Sequence, residues 1–318
     1  MRIVSLLPSA TEILFAIGAG DELVGVTHEC DFPEAARHLP VLTASSLPSS
    51  SSSAQIDSHV RKNLHEGSGL YTLDSDLLAD LEPDLIVTQE LCAVCAVSYD
   101  LVNNAVKRLR SDTRVISLEP SSLADVLETI ATLGNLTHHR PEADTLIAQL
   151  TLRMRALEKN VTRALQDRAT RGAKRPPTLL LLEWSDPPMG PGHWSPDTIK
   201  LAGATPLLAC PQSNTKARSW DEIAAADPDI IVLAPCGFDL AATRKAAAEL
   251  EKNPSWRELR AYREREIYLL DGNAYVNRPG PRLIDTAEIL ATILFEDAID
   301  NDIVNPNAWE PSFQLTGQ

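Results

Sequence analysis

The sequence predicts an α/β protein built from two lobes that a long helical segment joins. Short apolar runs of strand length alternate with helical patterns in the first part of the chain, which is typical of parallel α/β domains. A helical pattern with few breakers then covers residues 122–168, and the alternation resumes at an apolar run over residues 178–182. We therefore expect an N-terminal lobe over residues 1–121, a connecting helix, or two nearly continuous helices, over 122–171, and a C-terminal lobe with a tail over 172–318.

The first lobe opens with an apolar run over residues 3–7 that predicts a strand. A helix follows and ends before Gly18, and Ser9 with Glu12 three residues later predicts a capping box at its start. Further patterns predict strands over residues 23–27, 84–88 and 115–118 and a helix over 74–81. The serine-rich stretch at residues 45–53 is of low complexity, and we expect it to be a surface insertion.

One sequence pattern occurs once in each lobe. Residues 76–87 read DLLADLEPDLIV, and residues 221–232 read DEIAAADPDIIV. Each predicts a helix, a turn of the form acid-Pro-Asp, and then a buried strand, because proline does not continue a helix and the apolar run that follows has strand length. The repetition indicates that the two lobes are duplicates of one design.

Charge and composition exclude several classes of partner. The chain has 29 basic and 44 acidic residues, so its net charge is 29 − 44 = −15, which repels nucleic acid and anionic lipid. No apolar run approaches the ~18 residues of a membrane span, so membrane insertion is not expected. The five scattered cysteines fit a reducing compartment. Because the first strand begins at Ile3, we expect a cytoplasmic location, with a periplasmic one as the alternative if a signal peptide has been removed.

The candidate ligand-binding residues follow predicted strands, where open α/β sheets bind their ligands. Four of them are aromatic in a chain that is only 5% aromatic. Flat rings suit a large, partly apolar ligand, and an arginine suits its carboxylate, amide or phosphate groups. The alternative is that the rings cover the core beneath the loops. The candidates are Ser9, Thr11, His28 and Glu90 in the first lobe and Glu183, Trp184, His193, Trp194, Phe238, Tyr275 and Arg278 in the second.

Thiols supply the candidate metal ligands. Cys92 and Cys95 form a C-x-x-C motif, and Cys30 and Cys236 follow other predicted strands. The alternative for the motif is that two small residues pack at a helix start. No G-x-S-x-G, H-E-x-x-H or phosphate-binding loop is present, so we expect no enzyme. Two alternatives stay open: a metal- or thiol-dependent enzyme that uses Cys92, Cys95 and the rim histidines, and a protein that binds a metal ion directly.

Several of these features together resemble a known family. The segment 3–20, the paired acid-Pro-Asp strands, the long helical segment and NRPGPR at residues 277–282 before a final helix resemble the helical-backbone (class III) substrate-binding proteins, in particular the vitamin B12-binding type. The resemblance covers residues 3–294. It implies two Rossmann-like lobes with parallel sheets, a long backbone helix between them, and non-catalytic binding of cobalamin, another corrinoid or a related metal chelate in the cleft.

The resemblance also implies a partner. Members of this family dock on the membrane permease of an ABC transporter through an acidic residue on each lobe. Here Thr205 stands where the second-lobe glutamate is expected, while Asp100 is the candidate on the first lobe. This departure weakens the expectation of docking on a permease and makes a cytoplasmic carrier, scavenger or sensor a reasonable alternative.

Overall fold

The computed structural model describes residues 1–45, 52–66, 71–89, 112–295 and 305–313. The chain divides into two compact units. The first comprises Met1–Pro120 and Ala124–Ala148, and the second comprises Ser121–Leu123 and Gln149–Gln318. Each unit contains a parallel sheet with helices, so the predicted α/β class is confirmed.

The first unit is built on a four-stranded parallel sheet in the order β2-β1-β5-β6. Its core is apolar on both sides of the strands, as parallel sheets require, and Val4, Leu78 and Ile86 are among its fully buried members. An antiparallel pair, β3 and β4, joins Thr43 to Leu73. The elements are β1 (Ile3–Ser5), α1 (Pro8–Ala16), β2 (Leu23–Val26), β3 (Thr43–Ser45), α2 (Ser53–Glu66), β4 (Tyr71–Leu73), α3 (Ser75–Leu81), β5 (Leu85–Thr88) and β6 (Arg114–Ser117).

The start of α1 differs from the prediction. The helix begins at Pro8, and its N-cap is Leu7, whose side chain makes no capping hydrogen bond. Ser9 and Glu12 lie inside the first turns, so the predicted capping box is wrong. Proline lacks the N–H that a cap would satisfy, and its fixed φ suits the first helical position, which moves the start of the helix two residues earlier than a Ser9 cap allows.

The segment that was predicted to hold one long helix, or two nearly continuous ones, forms two helices. They are α4 (Leu123–Leu136) and α5 (Arg140–Thr170). The break between them contains His138 in the left-handed region, at φ 62°. A Cβ on Gly134 would lie 2.4 Å from the Cβ of Ala143, so the two helices approach closely just before and after the break. Helix α5 contributes residues to both units.

The second unit contains a five-stranded sheet in the order β11-β7-β13-β14-β15, in which β15 alone is antiparallel to its neighbour. Leu179 and Leu181 pack in the core cluster on one face of the sheet, and Leu180 and Leu182 pack in the cluster on the other, as the two-residue period of a strand dictates. The strands are β7 (Thr178–Leu182), β8 (Trp184–Ser185), β9 (Pro188–Met189), β10 (Gly192–His193), β11 (Thr205–Pro206), β12 (Cys210–Pro211), β13 (Ile230–Leu233), β14 (Ile267–Leu270) and β15 (Trp309–Pro311).

Helices cover both faces of this second sheet, and their apolar residues complete its two core clusters. None of the helices in the described ranges is long and apolar enough to span a membrane. The helices are α6 (Ser195–Leu201), α7 (Trp220–Ala226), α8 (Leu240–Leu250), α9 (Pro254–Glu258), α10 (Arg260–Arg263) and α11 (Leu283–Leu294).

The repeated acid-Pro-Asp pattern performs the same structural task in both units. Glu82 and Asp227, which cap α3 and α7, adopt left-handed conformations with φ of 41° and 44°. The aspartate two residues later then accepts a hydrogen bond from the backbone N–H at the start of the first strand. Asp84 Oδ2 lies 2.7 Å from Arg2 N, and Asp229 Oδ2 lies 2.7 Å from Thr178 N. The pattern therefore ties a helix end and two neighbouring strands together in each unit.

Candidate functional site

The loops after β7, β13 and β14 form one continuous edge of the second unit, which we call the second rim (residues 183–194, 234–239 and 271–278). Backbone hydrogen bonds join these loops: Cys236 N donates to Glu183 O at 2.9 Å, and Asn273 N donates to Phe238 O at 3.0 Å. A Cβ on Gly272 would lie 2.4 Å from Pro235 O, so this close approach requires glycine. The second rim is thus a preformed scaffold at the carboxyl ends of the strands, where the sequence predicts the ligand.

Trp184 and Phe238 form an aromatic pair on the second rim. Their ring centroids are 5.4 Å apart with the planes at 61°, an edge-to-face arrangement. Both side chains are partly buried, and the indole N–H of Trp184 donates to Asp186 O at 3.0 Å. The structure therefore brings together two of the four predicted aromatic candidates and leaves part of each ring accessible.

Trp194 is mostly buried beneath the second rim. Its side chain is only 8% exposed, and its indole N–H donates to Val276 O at 2.8 Å. The ring packs under the loops, which favours the core-covering alternative, and stacking of Trp194 on a ligand stays a prediction. Trp194 links the segment that starts α6 to the loop after β14.

Glu183 is a buried carboxyl at the end of β7. Its side chain is 9% exposed, its Oε1 accepts from Gly192 N at 3.2 Å, and it also bonds to the Ser195 side chain. Loss of hydration on burial raises the pKa of Glu183 to about 7, against the two hydrogen bonds that lower it. Its partners are protein groups, which indicates that it holds the 192–195 segment, and ligand contact by Glu183 stays a prediction.

His193 is held in an unusual conformation beside this carboxyl. Its φ is 46°, its ring stacks on Trp194 at 5.5 Å, and its Nε2 lies 2.9 Å from Asn214 Oδ1. An amide oxygen only accepts, so Nε2 carries the proton and Nδ1 does not; Nδ1 is buried without a hydrogen-bond partner. Burial lowers the pKa of His193, which favours this neutral form. One ring nitrogen is thus bonded to Asn214 and the other is buried, and ligand contact by His193 stays a prediction.

Tyr275 and Arg278 lie in the loop after β14. The Arg282 guanidinium lies 5.7 Å from the centroid of the Tyr275 ring, and Asn305 Nδ2 donates to the Tyr275 hydroxyl at 3.0 Å. Arg278 is only 6% exposed, and its Nη2 donates to Asn273 Oδ1 at 2.9 Å. Tyr275 remains a ligand candidate. Arg278 is mostly buried and bonded within the loop, and its contact with a ligand stays a prediction.

The first unit has an equivalent edge, the first rim (residues 6–11, 27–30 and 89), which follows β1, β2 and β5. Thr11 Oγ1 lies 2.8 Å from Ser5 Oγ and 3.1 Å from Cys30 Sγ. Thr11, Cys30 and Ser9 are all 5% exposed or less. The sequence places these residues at the correct edge, and their burial favours a packing role. Ligand contact by Ser9 and Thr11 and metal ligation by Cys30 stay predictions.

His28 is the predicted candidate that the first rim presents outward. Its Nδ1 lies 2.7 Å from Thr43 Oγ1, and its ring centroid lies 5.4 Å from that of Tyr71. The Tyr71 hydroxyl donates to Glu29 Oε1 at 3.1 Å. Partial burial of the ring lowers the pKa of His28 and favours the neutral imidazole. Thr43 and Tyr71 were missed because they come from the β3–β4 pair, which no local sequence pattern signals.

The structure describes only some of the residues in the predicted metal site. Glu90, Cys92 and Cys95, like Asp100, lie outside the described residues. Cys236 is half-buried on the second rim. Among the residues that the structure describes, no group of three or more His, Cys, Asp or Glu side chains is arranged to hold a metal ion. The described residues therefore give no support to a metal site at Cys236.

Sequence relatives cover nearly the whole chain. The uncharacterized ABC transporter substrate-binding lipoprotein YvrC of Bacillus subtilis is 24% identical over 302 residues, which is 93% of this chain and 80% of the relative. The vitamin B12-binding protein of Vibrio cholerae is 24% identical over 306 residues, 92% of this chain and 88% of the relative.

Solved structures share the fold. A periplasmic heme-binding protein from Pseudomonas aeruginosa superimposes with a TM-score of 0.71 at 21% identity and covers 93% of both chains. The periplasmic vitamin B12-binding protein BtuF of Vibrio cholerae gives a TM-score of 0.64 at 19% identity and covers 92% of this chain and 96% of its own. A family model described as periplasmic binding protein matches residues 3–274. The chain therefore belongs to the periplasmic binding protein family, whose members bind solutes and are not enzymes, as predicted from the sequence.

Proposed function

We propose that this protein binds a metal-centred tetrapyrrole, a corrinoid such as cobalamin or a heme, and delivers it to the permease of an ABC transporter. The observation that carries the proposal is the edge-to-face pair of Trp184 and Phe238 on the preformed second rim, with Tyr275 on the adjoining loop. Partly accessible rings on a rigid scaffold suit a broad, flat, largely apolar ligand, which gains by stacking and by release of water.

The relatives support the same class of ligand. One has the name vitamin B12-binding protein, and solved structures with the same fold are described as binding heme or vitamin B12. Both ligands are flat macrocycles around a metal. The sequence favours the corrinoid, and the structural likenesses include both, so they support the tetrapyrrole as the class of ligand. Titration with members of both groups distinguishes them.

We also propose an exported location. The relatives are described as a lipoprotein and as periplasmic proteins, which favours the periplasmic alternative over the cytoplasmic expectation. Docking on a permease would differ from the pattern that the resemblance implies, since Thr205 is exposed on the edge strand β11 and carries no charge.

The second rim is tested as the binding surface by replacing its aromatic residues one at a time. Trp184→Ala and Phe238→Ala should each weaken the binding of the tetrapyrrole that the wild type binds by ~1–3 kcal/mol, about 5- to 150-fold, the range of a central aromatic contact. Phe313→Ala is the matched control, because Phe313 is an exposed ring that lies on neither rim. Binding is followed by visible absorption. Equal affinities for wild type, both rim variants and the control would refute the second rim as the binding surface.

A further inference from the structure

The last described segment of the chain, residues 305–313, is anchored on the second unit. We call it the C-terminal strap. Its strand β15 pairs antiparallel with β14, with Leu269 opposite Glu310 and Leu270 opposite Trp309. The Trp309 ring packs 5.7 Å from that of Tyr268. Arg244 makes two hydrogen bonds to the Glu310 carboxylate, at 2.6 and 2.7 Å. Strand pairing, a ring contact and a bidentate ion pair therefore fix the strap to the sheet.

The start of the strap reaches the second rim. Ala308, which is 2% exposed, accepts a hydrogen bond from Asp271 N at 2.9 Å through its carbonyl oxygen. Asn305 Nδ2 donates to the Tyr275 hydroxyl at 3.0 Å. The amide orientation follows from the network, because Asn305 Oδ1 accepts from Asn307 N at 3.0 Å and the amide nitrogen must then be the atom that faces Tyr275. The strap thus holds both the first residue of the rim loop and the tip of its aromatic side chain.

The backbone of Tyr275 is fixed by its own loop, so the hydrogen bond from the strap acts on the position of the side-chain hydroxyl. Tyr275 N donates to Asp271 O at 3.2 Å, and Ala274 N donates to Asp271 Oδ1 at 2.7 Å. These bonds place the Cα atom, and the ring packs against the core of the second unit with the Arg282 guanidinium 5.7 Å from its centroid. Those ring contacts are not directional, whereas the hydrogen bond from Asn305 fixes the position of the hydroxyl. The hydroxyl oxygen, once it accepts from Asn305, keeps its proton as a donor, so the strap also sets which hydrogen bond the phenol can offer.

We propose that Asn305 is a positioning residue that holds Tyr275 in its ligand-binding orientation, which makes the C-terminal strap a part of the binding lobe. The inference rests on the proposed function for the ligand, a tetrapyrrole, but the contact between strap and rim loop is a property of the second unit alone. Asn305 lies outside the segment 3–274 that the family model matches.

The binding test uses the full chain with cyanocobalamin and hemin as probes. Asn305→Ala should weaken the binding of whichever probe the wild type takes up by about two- to tenfold, the value of one hydrogen bond. Asn307→Ala is the matched control, since that side chain is exposed and the backbone N–H that orients Asn305 is retained. In a Tyr275→Phe background, Asn305→Ala should have no further effect, because the hydroxyl through which it acts is gone. Equal losses in both backgrounds, or the same loss for Asn307→Ala, would overturn the proposal.

A second measurement does not depend on any ligand. With 3-fluorotyrosine incorporated at position 275, the ¹⁹F NMR signal should shift or broaden in Asn305→Ala and stay unchanged in Asn307→Ala, because only the first variant removes the hydrogen bond that fixes the ring's hydroxyl. A ¹⁹F signal that Asn305→Ala leaves unmoved would show that the strap does not position Tyr275. A wild-type chain that binds neither probe while the ¹⁹F result holds would refute the proposed ligand and leave the coupling of strap and rim standing.

Discussion

Replacement of Glu183 by glutamine should make the protein more stable at pH 8 and leave its stability at pH 4.5 almost unchanged. The carboxyl is buried, accepts hydrogen bonds from Gly192 N and the Ser195 side chain, and has its pKa raised from 4.5 to about 7 by loss of hydration. A carboxyl whose folded pKa lies above its unfolded value binds its proton more tightly in the folded state.

The sign of the pH dependence follows from this difference. Between pH 4.5 and about 7 the folded chain holds a proton on Glu183 that the unfolded chain has released, so the free energy of unfolding falls as the pH rises through this window and is constant above it. The pKa difference corresponds to about 3 kcal/mol at pH 8. Glutamine accepts the hydrogen bond from Gly192 and carries no charge. The free energy of unfolding of the variant therefore does not fall through this pH window.

Urea denaturation of wild type and Glu183→Gln between pH 4.5 and 8 measures the effect. Glu222→Gln is a control for which we expect the opposite change in stability. Glu222 is exposed in the capping box of α7, and hydrogen bonds from Ser219 lower the pKa of its carboxyl, so that variant should lose stability at neutral pH and not gain it. A stabilisation by Glu183→Gln of the same size at pH 4.5 and pH 8, or a destabilisation at pH 8, would refute the reasoning.

Two further predictions concern the scaffold. Asp229→Asn should destabilise the second unit by about 1–3 kcal/mol, since the carboxylate accepts from Thr178 N and from Arg175 and Arg260. These hydrogen bonds hold the pKa of Asp229 below its ordinary 3.8, so its contribution is present at neutral pH and is lost on acidification; a denaturation midpoint like that of wild type at pH 7 would contradict this. Trp194→Phe should cost about 1–2 kcal/mol of stability, because the Val276 carbonyl loses its donor, and should leave tetrapyrrole affinity within about twofold of wild type. A large loss of affinity at unchanged stability would restore Trp194 as a ligand contact.

The sequence was sufficient for the elements whose pattern is local. The apolar run 178–182 became β7, and the repeated acid-Pro-Asp pattern marked the same helix, turn and strand in both units. Long helical periodicity and four-residue buried strands leave a clear signal because each residue's burial follows from its position in the repeat. The strands β3, β4 and β15 were missed, because each has three residues and pairs with a partner far away in the chain.

The site was harder to predict than the fold. Sequence order places Thr11, Cys30 and Trp194 at the carboxyl ends of strands, and the structure agrees, but it buries all three. Which way a side chain points from a loop depends on the neighbouring loops, and no single segment encodes that. No sequence pattern indicated Asn305 as part of the site. Its partner Tyr275 lies in a different loop, and their contact depends on the pairing of β15 with β14.

The measurement that tests the central claim most directly is an absorption titration of the full wild-type chain with cyanocobalamin, cobinamide and hemin, with ferric ion in a weak chelator as the comparison. If the second rim binds a tetrapyrrole, at least one of the three macrocycles should give a saturable spectral change with one ligand per chain, and ferric ion should give none. The absence of any spectral change with all three macrocycles at high micromolar concentration, or saturable uptake of ferric ion alone, would contradict the proposal that this protein binds a metal-centred tetrapyrrole.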